Sequence, residues 1–162
     1  MTAPHRPTAG LSLPSLLCAA LLAVLTLSCG AASATRSMFG GRLPFHVTIA
    51  PDANDNSAVA VDLVVVYDAS LVEPLLKLSA SAWFAQKRQF LKDHPSQVEV
   101  HGWEWVPGQE VGAPSIAYHA GARKLVLFVD YGTEGDHRAA LQPQQPFNLV
   151  LGNADFAVEA AQ

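Results

Sequence analysis

Hydrophobic and polar positions alternate with a period of two over much of residues 45–160, and a single stretch shifts to a helical period. Phe45-His46-Val47-Thr48-Ile49 alternates strictly, which predicts a short strand, and Pro44 and Pro51 on either side place it at a sheet edge. Asp52-Ala53-Asn54-Asp55-Asn56-Ser57 is dense in turn formers and predicts a loop. In residues 58–67, Val59, Val61, Leu63, Val65 and Tyr67 line one face, while Val64 and Val66 make the second half apolar on both faces. That pattern predicts a central strand. Asp62 lies on its other face, where the strand is expected to be still half-exposed.

The period then changes. Residues 70–78 carry apolar side chains at Leu71, Val72, Leu75, Leu76 and Leu78, a short helix that tolerates Pro74 in its first turn. Ser79 or Ser81 can cap a second helix over 82–92, with Trp83, Phe84, Phe90 and Leu91 as its buried stripe. Lys87, Arg88 and Lys92 are expected to face water, and Asp93-His94-Pro95 ends the helix. Residues 98–106 return to strand. Val98 and Val100 hold one phase and Trp103 and Trp105 the opposite one, which predicts a β-bulge at Gly102.

Val106-Pro107-Gly108-Gln109 is a turn. Residues 115–119 form a weaker strand, and 124–131 a near-continuous apolar one that must be central. Polar loops are expected over 132–138 and 142–146. Strands over 147–151 and 156–159 are joined by a hairpin turn at Gly152-Asn153. Seven strands, with a short helical insertion between strands 2 and 3, predict a mainly β protein, a two-sheet β-sandwich.

Before this domain the composition is different. His5 and Arg6 precede an apolar run from Leu11 to Leu27, interrupted by Ser12, Pro14 and Ser15, and no acidic residue occurs before Asp52. The run falls short of the roughly 20 residues of a comfortable membrane span, so residues 1–28 are expected to be a cleaved signal peptide. Leu25-Thr26-Leu27-Ser28-Cys29-Gly30 resembles a bacterial lipobox, with Thr26 where that motif normally has leucine. It marks Cys29 as the lipidated first mature residue, and 29–42 as a flexible tether rich in small residues ahead of a domain over 43–162. An alternative exit at Ala32-Ser33-Ala34 would release a soluble protein beginning at Thr35.

Loss of the leader removes Arg6 and leaves nine basic against fourteen acidic residues, 9 − 14 = −5, a balance with no attraction to nucleic acid. Cys18 is lost with the leader, so the domain relies on packing rather than disulfides. No nucleophile elbow, phosphate loop or H-E-x-x-H motif is present. Glu99 and His101 share a strand face that His119 joins as a metal set if its strand pairs alongside, although solvated strand residues are the simpler expectation, and neither metal nor cofactor is expected. Asp136-His137 has no identifiable nucleophile. Asp52, Asn54 and Asp55 lack the glycine and distal glutamate of a calcium loop. Trp103 and Trp105, two apart on a strand, form one aromatic surface that is either core filler or a partner contact.

The order of these features is similar to that of the TssJ-type outer-membrane lipoproteins of bacterial type VI secretion systems. The resemblance lies in Ser57-Ala58-Val59-Ala60-Val61-Asp62-Leu63-Val64-Val65-Val66-Tyr67, in the helical stretch around Trp83-Phe84, and in Trp105-Val106-Pro107-Gly108-Gln109. The chain departs from that family in having valines where an arginine tends to precede the tyrosine. The resemblance implies a non-enzymatic β-sandwich, lipid-anchored at the periplasmic face of the outer membrane, that holds a TssM-like inner-membrane partner. It implies partner contacts from the loop over 51–57, with Asp52, Asn54, Asp55 and Asn56, and Gly30 after the acylated cysteine fits outer-membrane sorting. The alternatives are a soluble periplasmic binding domain using Trp103 and Trp105, and a metal-dependent periplasmic enzyme using Glu99, His101 and His119.

Overall fold

The computed structural model describes residues 40–161; the leader, Cys29 and the tether up to residue 39 lie outside the described residues. Eight strands and two helices follow in the order β1 (Gly41–Ile49), β2 (Val59–Val66), α1 (Val72–Leu76), α2 (Ala80–Asp93), β3 (Val98–Trp105), β4 (Ser115–Tyr118), β5 (Lys124–Asp130), β6 (Arg138–Leu141), β7 (Phe147–Leu151) and β8 (Phe156–Ala160). They form two four-stranded sheets, β4-β1-β7-β8 and β3-β2-β5-β6. The mainly β two-sheet architecture and the helical insertion between β2 and β3 are as the sequence pattern predicts. The added strand is β6. Arg138-Ala139-Ala140-Leu141 has almost no alternation of its own and becomes a strand through antiparallel pairing with β5.

Strand β1 differs from expectation in two ways. It begins at Gly41, so Gly41 and Arg42, assigned to the tether by their small and polar character, belong to the sheet. It is also an inner strand: residues 41–44 pair antiparallel with β4, and residues 45–49 pair parallel with β7. Pro44, with no N–H to give, sits where the chain changes partners, so the proline marks this switch rather than a free edge.

The two faces of β2 explain its unbroken apolar run. Val59, Val61, Leu63 and Val65 join the core between the sheets, with Leu125, Leu127 and Val129 of β5 and Phe45, Leu149 and Leu151 of the opposite sheet. Val64 and Val66 face outward into a second core beneath the helices, with Trp83, Leu75, Val126 and Phe128. Trp83 stacks on Phe128 at 5.0 Å between ring centres, and Ser79 Oγ caps α2 by accepting from the Ala82 N–H at 3.2 Å. Asp62 shares this helix-covered face and is 3% exposed, so the half-exposure expected for it is corrected: α2 covers it.

The bulge expected at Gly102 is absent. β3 pairs one-for-one with β2 from Val59↔Trp105 to Val66↔Val98, with Gly102 opposite Asp62. The apparent phase flip has another cause. Val98 and Val100 pack under the helices, whereas Trp103 and Trp105 pack between the sheets. A regular strand buried on different faces at its two ends gives the same pattern as a bulge.

Candidate functional site

The loop between β1 and β2 is the most unusual backbone in the described chain. Asn54 (φ 48°, ψ 46°), Asp55 (φ 50°, ψ 50°) and Asn56 (φ 58°) are three successive left-handed residues, none of them glycine. Left-handed backbone costs an ordinary residue roughly 1–2 kcal/mol, less for Asn and Asp, and it persists only where neighbours over-determine it. They do so here. Asn54 Nδ2 donates to the Ala58 carbonyl at 2.8 Å, and its Oδ1 accepts from the Gly132 N–H at 2.9 Å. The Asn54 and Asp55 N–H groups donate to the carbonyls of Gly152 and Asn153, both at 3.2 Å, and Asn153 Nδ2 donates to the Asp52 carbonyl at 2.9 Å. The loop is thus bolted to the start of the β5–β6 connection and to the β7–β8 turn. Asn54 is consumed by this internal bonding, while Asp52, Asp55 and Asn56 are exposed.

The aromatic pair sits elsewhere and faces inward. Trp105 is 4% exposed, and Trp103 is partly buried, stacked on Trp105 at 5.6 Å and edge-on to Phe45 at 5.4 Å. Their weight goes into the inter-sheet core, so sequence reasoning placed them on one face correctly without showing which way that face turned.

Further along the same face, Glu99 and His101 meet, with His101 Nε2 at 3.2 Å from Glu99 Oε1. The Tyr67 hydroxyl donates to Glu99 Oε2 at 2.9 Å and accepts the backbone N–H of His119 at 3.0 Å. Burial, with a smaller contribution from Glu99, pushes the Tyr67 hydroxyl up to about 12, against the opposing pull of the His119 amide. His119 therefore joins this group through its backbone, and its ring lies tilted against Tyr67 at 6.3 Å. Among the described residues no three His, Cys, Asp or Glu side chains are arranged to hold a metal ion.

A third region was not predicted as a site. Between the β5–β6 connection and the start of β8 lies a cleft of about 600 Å³, lined among others by Thr133, Asp136, His137, Asp155 and Val158. His137, at φ 40°, is buried; its Nδ1 lies 3.0 Å from Asp155 Oδ1, and its Nε2 lies 3.1 Å from the Thr133 carbonyl and 3.3 Å from Thr133 Oγ1. The Asp–His–Thr order imitates a nucleophile relay. However, Thr133 Oγ1 donates its proton to the Ala154 carbonyl at 2.7 Å, so the hydroxyl is not delivered to the imidazole. The group instead latches one connection to the other, with Tyr131 donating to the Gly152 and Asp155 carbonyls behind it. The sequence signal available for it was the Asp136-His137 pair in a glycine-containing loop.

Geometry thus defines a two-sheet sandwich with one helical layer, a rigid left-handed loop, and no delivered nucleophile among the described residues. No protein-family model matches the sequence, and no curated protein sequence matches it. Solved structures do match the fold. T6SS lipoprotein TssJ1 from Pseudomonas aeruginosa aligns with a TM-score of 0.55 and 14% identity over 76% of this chain and 98% of that one. Lip from Serratia marcescens, a membrane bound component of the Type VI Secretion System, aligns with a TM-score of 0.56 and 11% identity over 76% and 99%. A chain in the structure of the T6SS protein TssM C-terminal domain (869–1107) from EAEC aligns with a TM-score of 0.53 and 12% identity over 75% and 98%. The expected likeness to TssJ-type lipoproteins is borne out at the level of the fold.

Proposed function

We propose that this chain is a TssJ-type component of a type VI secretion membrane complex, acylated at Cys29 and held at the periplasmic face of the outer membrane. There it grips a TssM-like inner-membrane partner and works as a rigid handle rather than a catalyst. The observation that carries the reading is the fold shared with TssJ1 and Lip across about three quarters of the chain. The match to a chain in the TssM structure supports the choice of partner, because that chain is a second component beside the TssM segment. About three quarters of 162 residues fills 98% of the chain matched there, which is therefore shorter than the segment 869–1107. The loop geometry adds support: Asp52 and Asp55 stand exposed on a backbone that does not have to be ordered on binding, which saves conformational entropy. Their carboxylates suit a basic patch on the partner.

Anchoring and gripping are separable by experiment. A single acyl chain binds a bilayer only marginally and a mature bacterial lipoprotein carries about three, so the acylated chain stays with membranes through a high-salt wash. Cys29→Ala releases it to the soluble periplasmic fraction, and intact mass of the mature N-terminus reads the modification directly. Asp52→Lys with Asp55→Lys leaves the membrane fraction unchanged and abolishes co-purification of the TssM-like protein. An unmodified mature chain starting at Thr35 removes the anchor; undiminished co-purification by the double variant removes the loop as the gripping surface.

A further inference from the structure

The sheet β4-β1-β7-β8 ends in β8, and no described strand pairs with its outer side. The hairpin register shows which backbone groups that side presents. The Gly152 N–H donates to the Asp155 carbonyl at 3.0 Å, and the Ala161 N–H to the Pro146 carbonyl at 3.4 Å. With Val150 opposite Ala157 and Asn148 opposite Glu159, these alternate pairs are the ones bonded to β7. The N–H and C=O groups of Phe156, Val158 and Ala160 consequently point away from β7; the Phe156 N–H is taken up by Asp155 Oδ1 at 2.8 Å, which leaves the Phe156 carbonyl and both groups of Val158 and Ala160 to the outer side.

Natural edges are guarded by shortness, by Pro, by charged side chains and above all Lys, or by a bulge. Phe156-Ala157-Val158-Glu159-Ala160 has neither Pro nor Lys, its register is unbroken, and its one charge, Glu159, repels an acidic strand rather than a basic one. Beside it the sandwich stays open. The cleft of about 600 Å³ abuts a second of about 200 Å³ that runs along Leu141, Pro146, Val158 and Ala160. Ala139, Leu141, Phe156 and Val158 supply its apolar floor, only partly buried against the inter-sheet core. Glu134, Asp136, Asp155 and Glu159 line the two clefts. The one arginine there, Arg138, is already engaged by Asp136 and by the Leu78 carbonyl.

We propose that the free edge of β8 docks an extended, lysine- or arginine-rich segment of a protein partner, which adds as a further strand and sets alternate side chains into the β6–β8 cleft. Main-chain bonds to the Phe156 carbonyl and to the N–H and C=O of Val158 and Ala160 supply the ladder; Asp136 and Asp155 are held by Arg138 and His137, so Glu134 and Glu159 select the charge. A second copy of this chain would bring the same carboxylates against these and be repelled, which favours a basic partner over self-pairing. The inference uses neither Cys29 nor the loop over 51–57, so it stands or falls apart from the function proposed above.

The test uses the full chain as recovered from expressing cells, with a blocked octapeptide of alternating lysine and valine as probe and amide hydrogen exchange as readout. Saturating peptide is expected to slow exchange at the outward amides of Val158 and Ala160 by about tenfold or more, with affinity falling as salt is raised. A glutamate–valine octapeptide, and the lysine–valine peptide N-methylated at alternate residues, are expected not to bind. Ala160→Pro removes an outward amide without touching a bond to β7 and is expected to weaken binding about tenfold while the melting temperature holds; Glu159→Lys is the second variant, expected to weaken binding through charge alone. Unchanged exchange at the Val158 and Ala160 amides, or equal binding of the N-methylated peptide, overturns the proposal. So does exchange already slow there in the free chain, because a second copy or the chain's own residues 1–39 then fill the edge.

Discussion

The indole Nε1–H of Trp83 donates to Asp62 Oδ2 at 2.8 Å, and the Lys87 ammonium lies 2.9 Å from the same oxygen. A carboxylate that is 3% exposed, midway along a valine-rich strand, thereby ties α2 to the sheet beneath it. Asp62→Ala leaves the indole donor buried and unpaired, while Lys87, more than a third exposed, can turn to water. The expected loss is about 2–4 kcal/mol. Asp62→Asn keeps an acceptor for the indole and is expected to lose about 1–2 kcal/mol. Urea unfolding reads both, as a lower midpoint at unchanged slope.

Gly102 faces that carboxylate across the β2–β3 ladder, and a Cβ added there would lie 2.8 Å from Asp62 Oδ1. Gly102→Ala is therefore expected to push the carboxylate off Trp83 and to cost about 1–3 kcal/mol. The cost should largely disappear in the Asp62→Ala background, where nothing remains to collide with. Additive losses in the double-mutant cycle would show that the glycine serves some other purpose.

This same pair marks where the sequence stops being legible. Strand period and apolar faces gave the two-sheet architecture and the helical insertion, because every strand except β6 carries an apolar pattern of its own. Asp62 was misjudged because its cover is α2, twenty or more residues away in the chain, and Gly102 because the atom it leaves room for, Asp62 Oδ1, lies on the neighbouring strand. Pro44 and the two alanines of β6 failed for a related reason: their conformation is set by the strand alongside. The loop over 51–57 was recognisable as a turn, but its left-handed run is imposed by Gly132, Gly152 and Asn153, contacts that no local pattern contains. The His137 latch, whose partners are spread over residues 133–155, was similarly hidden.

Alkaline pH should expose the tyrosine contacts. Burial pushes the hydroxyls of both Tyr67 and Tyr131 up to about 12, whereas an unfolded tyrosine titrates near 10. The folded chain holds these protons more tightly, so their contribution is complete below pH ~10 and is lost as pH rises from about 10 to about 12. Stability measured by urea midpoint should fall across that window, and Tyr67→Phe and Tyr131→Phe should each flatten the fall relative to the parent. Because lysines titrate in the same range, the difference between parent and variant is the measurement that decides.

The left-handed turn allows the loop's backbone and its charges to be tested separately. Asp55 is exposed and sits at φ 50°, ψ 50°, and no side-chain bond of its own holds it there. Asp55→Gly removes the Cβ penalty of that conformation at the cost of a more flexible unfolded chain, and the two nearly cancel, leaving stability within about 0.5 kcal/mol. Asp55→Val keeps a Cβ and adds branching, which the left-handed region resists, and should lose about 1–2 kcal/mol or drive the loop out of shape. Both variants remove the same negative charge. If the carboxylate grips the basic partner, both should bind it more weakly, with a reduced salt dependence. If loop shape is what the partner recognises, Asp55→Gly should bind nearly as the parent does, and only Asp55→Val should fail.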